Sequence, residues 1–204
     1  MKITARKYSH SRSEDHKGFT LVELLVVIAI IAILAAVVVL IINPLELTRR
    51  SRDAARLTDL ANLQQAINVS VQEATGSSAT DILCKGVTPA CVGKSGGTGA
   101  ATRVPDGTTG WVKADLTAQK SVSVPTLPVD PINSEEYHYT YCSDGNNWEI
   151  DTRLESDQQI PKMGNDGGDE GLTTEDVTAL KTSGKYEVGS KLDLIKASGG
   201  SCTY

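Results

Sequence analysis

The sequence predicts an α+β protein in which a long amino-terminal helix packs on a small antiparallel β-sheet head. Two observations lead to this prediction. Residues 24–42 form an unbroken apolar run, and apolar residues at helical spacing continue to about residue 74. Residues 137–155 then alternate between apolar and polar side chains around an Asp-Gly turn, as in a β-hairpin. At 204 residues, the chain has room for one small globular domain besides the apolar helix.

The apolar run is long enough to cross a membrane, and an acid stands at its head. At about 1.5 Å per residue, its 19 residues span roughly 28 Å. A carboxylate in hydrocarbon costs about 2.5–3.5 kcal/mol, so Glu23 needs a partner. A cut between Gly18 and Phe19 would create an α-amine on Phe19, four residues before Glu23. This amine could pair with Glu23 of the same helix or of a neighbouring subunit.

Residues 18–30, Gly-Phe-Thr-Leu-Val-Glu-Leu-Leu-Val-Val-Ile-Ala-Ile, resemble the class III signal of type IV pilins and pseudopilins. In that family a prepilin peptidase of the inner membrane cuts after the glycine and N-methylates the exposed phenylalanine. The glutamate at the fifth mature position helps to dock subunits into a filament. The resemblance therefore implies cleavage between Gly18 and Phe19, methylation of Phe19, and a role for Glu23 in filament assembly.

The resemblance also implies an architecture, a set of partners and a location. Residues 1–18 would be a removed leader, 19–42 a membrane and filament-core helix, 43–75 its amphipathic continuation, and 76–204 a pilin-like head. The partners would be identical or related pilin subunits, the prepilin peptidase, an inner-membrane platform protein, an assembly motor, and lipid before assembly. The chain would cross the inner membrane once, with its amino terminus in the cytoplasm. It would then enter an extracellular pilus or a periplasmic pseudopilus.

Two ordinary membrane segments compete with this interpretation. A secretory signal has an apolar core of about 7–15 residues, whereas this core is longer and follows an acid. A plain single-pass anchor fits the hydropathy equally well but leaves Glu23 unexplained.

The distribution of charge favours export of the head, with one exception. The leader carries a side-chain net charge of +3, so the whole-chain value of −5 leaves −8 for the mature protein. A basic amino-terminal flank favours a cytoplasmic amino terminus. Positive charge beyond the run opposes export, and it is supplied there by Arg49, Arg50, Arg52 and Arg56. We interpret these arginines as headgroup contacts or as salt-bridge partners in a filament.

A proline interrupts the long helix. Pro44 follows the apolar run directly and is expected to kink or locally melt a helix that otherwise extends from about residue 20 to 74. Beyond it, Leu60, Leu63 and Ile67 recur at helical spacing and define an apolar stripe that needs a packed partner. The sequence Gly-Ser-Ser at 76–78 ends the helix.

The head is predicted to contain few strands and long connections. Residues 76–110 are expected to form a loop, and residues 111–116 and 121–124 to form strands. The hairpin at 137–155 is expected to have one buried and one solvated face, and a last strand is expected within 186–195. This order of elements resembles a pilin head.

Four cysteines place the head in an oxidising compartment. They are even in number and all lie in the polar part of the chain, at Cys84, Cys91, Cys142 and Cys202. Zinc is a weaker explanation because the cysteines form no C-x-x-C pair and the mature chain keeps one histidine. Three pairings are possible. We favour Cys84 with Cys91, closing a short loop, and Cys142 with Cys202, tying the carboxyl-terminal region to the sheet.

A glycine-rich acidic loop at 164–171 is a candidate calcium site. Asp166, Asp169 and Glu170 supply the hard oxygen ligands that calcium prefers, and some pseudopilins hold calcium in a corresponding region. The spacing does not match an EF-hand, and a solvated acidic turn is the favoured explanation of the loop. No other cofactor is expected.

The sequence favours a structural role over catalysis. It lacks the nucleophile elbow of hydrolases and the helical motif of zinc proteases, so we expect no enzymatic activity. Net negative charge argues against broad nucleic-acid binding. The leading hypothesis is a subunit of a type IV pilus or pilus-like filament. The alternatives are a type II secretion pseudopilin or a minor pilin for adhesion or DNA uptake and, more remotely, a membrane-anchored enzyme or binding module.

Overall fold

The computed structural model describes residues 18–74, 76–85, 91–96, 103–117, 120–121, 124–168, 177–196 and 202–203. It divides into an amino-terminal unit, residues 1–43, and a head unit, residues 44–204. The helices are α1 (Leu21–Ile42), α2 (Pro44–Glu73), α3 (Ala79–Leu83) and α4 (Val177–Ser183), with a 3₁₀ helix at Ile160–Gly164. The strands are β1 (Cys91–Lys94), β2 (Thr140–Ser143), β3 (Trp148–Thr152), β4 (Tyr186–Gly189), β5 (Ile195–Lys196) and β6 (Cys202–Thr203).

The long helix is broken rather than continuous. Helix α1 ends at Ile42, Asn43 takes a left-handed conformation with φ of 43°, and Pro44 starts α2. Proline has no backbone N–H and disfavours the α conformation in the residue before it, while asparagine tolerates the left-handed region. The break therefore falls where Pro44 predicts a kink. Within the described residues, the one helix long and apolar enough to cross a membrane lies at Leu21–Val39.

Helix α2 packs one stripe of side chains into the core of the head. Its buried residues recur every three or four positions, at Asp53, Arg56, Leu60, Leu63, Ala66, Ile67 and Ser70. The apolar members join a core built by one face of the sheet, where Tyr139, Tyr141 and Ile150 are fully buried. The predicted apolar stripe is present, with two charged residues added at its amino-terminal end.

The four longer strands form an antiparallel sheet in the order β1-β2-β3-β4. Thr140 pairs with Asp151 across β2 and β3, and Asp151 pairs with Glu187 across β3 and β4. Strands β2 and β3 are the predicted hairpin. Its turn is closed by Gly145, whose φ of 94° lies in the left-handed region favoured by glycine.

The prediction of one solvated hairpin face is wrong. On the face away from α2, Thr140, Glu149 and Asp151 are fully buried. The carboxyl-terminal region covers part of this face, because Leu194 and Ile195 both donate backbone N–H groups to a carboxylate oxygen of Glu149. A sequence can show that residues alternate, but a distant segment decides whether the polar face meets water.

Other elements of the head also differ from the prediction. Strand β1 lies within the segment predicted as a loop, and α3, α4 and the 3₁₀ helix were not predicted. Residues 111–116 are mostly buried but form no strand, since their backbone bonds go to separate segments: the Asp115 N–H donates to Ile82 of α3 and the Leu116 N–H to Pro105. The predicted last strand divides into β4 and the start of β5. Of the strand predicted at 121–124, residues 122–123 lie outside the described part.

The disulfides join Cys84 to Cys91 and Cys142 to Cys202. These are the two pairs favoured from the sequence. The first closes the short segment between α3 and β1, and the second ties β6 to β2. The chain therefore has an apolar helix followed by a helix and a small antiparallel sheet, which is the α+β architecture of pilin-like folds.

Candidate functional site

The Gly18–Phe19 bond lies in exposed, non-helical chain before α1. Phe19 is 89 % exposed, and apart from the two chain neighbours no described atom lies within 4 Å of the position that a Cβ on Gly18 would occupy. The helix starts only at Leu21, so the backbone on both sides of the bond is free of helical hydrogen bonds. This geometry leaves the bond open to a peptidase. The leader residues 1–17 lie outside the described part of the chain.

Glu23 caps its own helix in this uncut chain. The Glu23 N–H donates to Thr20 Oγ1 at 3.2 Å, while Glu23 Oε2 accepts from the Thr20 N–H and from Thr20 Oγ1, each at 2.8 Å. This reciprocal arrangement is a capping box. Before cleavage Phe19 has a peptide N–H and not an amine, so pairing between Phe19 and Glu23 stays a prediction. The capping box itself holds the carboxylate at the start of the apolar helix.

The surface of α1 is apolar on every side. Its described large apolar side chains are between 48 % and 79 % exposed, and Glu23 is its one charged residue. Single exposed apolar residues are ordinary, but an exposed helix that is apolar all round needs hydrocarbon or other helices around it. The helix is therefore suited both to a bilayer and to a bundle of like helices.

A second charged constellation joins α2 to the head, and we call Asp53, Arg56, Asp130 and Glu155 the buried joint. Arg56 is fully buried and binds Asp130 through two parallel hydrogen bonds, at 2.6 Å and 3.0 Å. Its Nη1 also donates to Asp53 at 2.8 Å and to Glu155 at 2.5 Å. One guanidinium thus connects the helix to two loops that lie far along the chain.

The carboxylates of the buried joint also order the backbone. Asp53 accepts N–H groups from Glu155 and Ser156, and Asp130 accepts those of Ile132 and Asn133. Asp53 and Asp130 therefore each have both a cation and backbone donors, which is how a buried charge is kept in a fold. The buried joint therefore fixes α2 to the loops that carry Asp130 and Glu155.

Protonation equilibria reflect this arrangement. Burial opposes the charge on Arg56, but the hydrogen bonds and attraction of Asp130 and the other acids outweigh it and raise the Arg56 pKa. Burial likewise opposes ionisation of Glu155, yet the hydrogen bonds from Arg52 and Arg56 hold the Glu155 pKa below its ordinary value. Both shifts favour the charged, paired state.

The interpretation of the arginines as external contacts is wrong for two of them. Arg56 is fully buried in the joint, and Arg52 binds Glu155. Arg50 pairs with Glu46 on the helix surface, and Arg49 is exposed. Only Arg49 and Arg50 therefore remain candidates for lipid headgroups or neighbouring subunits.

The sequence contained one overlooked signal for the buried joint. Asp53 and Arg56 are three residues apart and continue the stripe of Leu60 and Leu63. On a helix that packs one face against a core, the residues of that stripe are normally apolar. An opposite-charge pair on an apolar stripe indicates a buried pair. Asp130 and Glu155 gave no comparable signal, because their place depends on tertiary structure.

The acidic loop is only partly described. Asp166 accepts N–H groups from Gly168 and Glu187, and burial raises its pKa. Asp169 and Glu170 lie outside the described residues. Within the described part of the chain, no group of three His, Cys, Asp or Glu side chains is placed to hold a metal ion. Calcium binding by this loop stays a prediction.

Comparison with known proteins identifies the amino-terminal signal. The model of the prokaryotic N-terminal methylation motif matches residues 15–39, which contain Gly18, Phe19, Glu23 and most of α1. No curated protein and no solved structure matches the chain. The chain thus carries the prokaryotic N-terminal methylation motif, which is the class III prepilin signal of type IV pilins and pseudopilins.

Proposed function

We propose that this chain is a structural subunit of a type IV pilus or pilus-like filament. The observation that carries the proposal is the placement of the prepilin signal on α1. An open Gly18–Phe19 bond is followed by a helix that is apolar on every side and carries one acid at its start. Such a helix suits storage in a bilayer and then close packing in a filament core.

The mechanism is mechanical rather than catalytic. A prepilin peptidase removes the leader and methylates the new amine of Phe19. An assembly motor and an inner-membrane platform protein, both implied by the signal, lift the subunit out of the lipid. The Phe19 amine of one subunit then pairs with Glu23 of another. In a dry helix bundle, an unpaired Glu23 is costly, so correct docking is favoured over misaligned packing.

Two substitutions separate the charge of Glu23 from its capping role. Glu23→Ala removes both, whereas Glu23→Gln keeps an amide oxygen that can accept from the Thr20 N–H, as glutamine does in a capping box. If docking needs the charge, both variants are exported and cut but give few filaments. The readouts are amino-terminal sequencing of the membrane fraction and the filament yield after shearing. Normal yield from Glu23→Gln would show that only the cap matters and would overturn the pairing.

Amino-terminal sequencing and intact mass of the native protein test the proposal directly. A chain beginning at N-methyl-Phe19 in sheared surface material supports an extracellular pilus. The same processed chain confined to membranes supports the alternatives, a pseudopilin or a minor initiating pilin. A chain that still begins at Met1 in its native host would overturn the proposal.

A further inference from the structure

The second face of the sheet buries a lysine and an aspartate together. Lys185 Nζ lies 3.4 Å from Asp151 Oδ2. Asp151 is fully buried, and the Lys185 side chain is 14 % exposed. Among the described residues, neither oxygen of Asp151 accepts a hydrogen bond. A buried carboxylate normally needs such donors as well as a counter-charge, because burial removes its hydration.

The sheet holds the amine and the carboxylate next to each other. Asp151 is the fourth of the five residues of β3, with Thr140 of β2 on one side and Glu187 of β4 on the other. Lys185 precedes Glu187 by two residues and therefore faces the same side of the sheet. Because the sheet is hydrogen-bonded on both sides of β3, the backbone that carries Asp151 is fixed, and the Lys185 amine lies beside the carboxylate that it would attack.

We propose that Lys185 and Asp151 condense to form an intramolecular amide bond between β3 and the start of β4. Lys185 Nζ bonds to Asp151 Cγ, one Cγ–O bond breaks, and the oxygen leaves as water with two of the three ammonium protons. Nothing is oxidised or reduced. The product has no charge to bury, so it removes the cost of the buried pair.

His138 is the group suited to carry the protons. It lines the same cleft as Lys185, is 8 % exposed, and its Nδ1 lies 3.2 Å from the Ser134 carbonyl oxygen. With Nδ1 donating to that carbonyl, Nε2 holds the lone pair, and among the described residues Nε2 has no hydrogen-bond partner. Burial and then the positive charge of Lys185 lower the His138 pKa, which keeps the ring a neutral proton acceptor.

The chain contains a matched control pair. Lys181 Nζ lies 2.7 Å from Asp157 Oδ1, closer than the proposed pair, but the two side chains are 47 % and 63 % exposed. Water solvates both groups of this pair, so the pair should not condense. The Lys181–Asp157 pair therefore tests, in the same molecule, whether close approach without burial is enough for condensation.

The test is the mass of the full-length protein, extracted from its membrane in detergent, after reduction of the disulfides. We expect a deficit of one water molecule. Trypsin should then yield residues 121–153 linked to residues 182–191, with Lys185 uncut inside the second peptide. Lys185→Arg keeps the positive charge but lacks a nucleophilic amine, and it should restore the full mass, while Lys181→Arg should leave the deficit unchanged. His138→Gln should slow the appearance of the deficit after synthesis.

The outcomes are decisive. A natively disulfide-bonded protein with the full mass overturns the proposal. A water loss that maps to another site, such as cyclisation at an Asp-Gly sequence, also overturns the proposal. A water loss that persists in Lys185→Arg overturns it as well. An unchanged rate in His138→Gln overturns the role given to His138.

Discussion

Removing Arg56 while leaving its carboxylates in place should destabilise the head strongly. In Arg56→Met the side chain keeps much of its length but loses the charge and the fork that binds Asp130. Asp53 and Asp130, 0 % and 2 % exposed, would keep their backbone donors but lose their buried counter-charge. Breaking a buried pair from one side costs about 3–5 kcal/mol. At about 2–4 °C per kcal/mol for a chain of this size, the melting temperature should fall by about 6–20 °C.

The assay uses the two tryptophans of the chain as reporters. Trp111 and Trp148 are both 2 % exposed in the core that α2 shares with the sheet, so unfolding of the head should change their fluorescence. Urea unfolding of the full chain in detergent then gives the free energy of unfolding for each variant.

Arg50→Met is the matched control for this measurement. Arg50 lies on the same helix and also binds a carboxylate, that of Glu46, but its side chain is 46 % exposed. Its loss should cost no more than about 0.5 kcal/mol. If Arg56→Met costs less than about 1 kcal/mol, or no more than Arg50→Met, the reasoning about the buried joint is refuted.

Two further predictions concern the head. Since Glu155 has a lowered pKa in the folded state, its contribution is present above its unfolded pKa of about 4.3 and is lost as pH falls through the folded value. The urea midpoint should therefore drop between pH 5 and pH 3, and it should drop less in Glu155→Gln; equal drops would contradict this. Replacing Cys142 and Cys202 by alanine removes a link across 60 residues, whereas Cys84 and Cys91 are separated by 7. By loop-closure entropy the first double variant should lose about 2 kcal/mol more stability, and the reverse order in urea unfolding would be contrary to this account.

Local patterns predicted the parts of the fold that depend on neighbours in sequence. The apolar run, the break at Pro44 and the tyrosine-rich hairpin each follow from residues within one or two turns of the chain. The motif residues Gly18, Phe19 and Glu23 were recognised for the same reason, since they form one short segment.

Tertiary contacts decided what the sequence did not reveal. Strand β1 is a strand because β2 lies beside it, and its own Cys-Val-Gly-Lys has no alternating pattern. The polar face of β3 is buried because a segment some 45 residues later crosses it. Arg56 looked like a surface cation until its partner Asp130, 74 residues away, was placed beside it. Pairing between distant segments has no local signature.

The spacing of the buried joint along the chain has a consequence for the order of folding during synthesis. Arg56 meets acids that are 74 and 99 residues later in the sequence, so α2 leaves the ribosome long before the joint can close. Contacts of such sequence separation form slowly. Until those acids are in place, Arg56 stays hydrated and the apolar stripe of α2 is exposed to water. A newly made chain therefore passes through a stage in which the apolar stripe of α2 is exposed and open to aggregation.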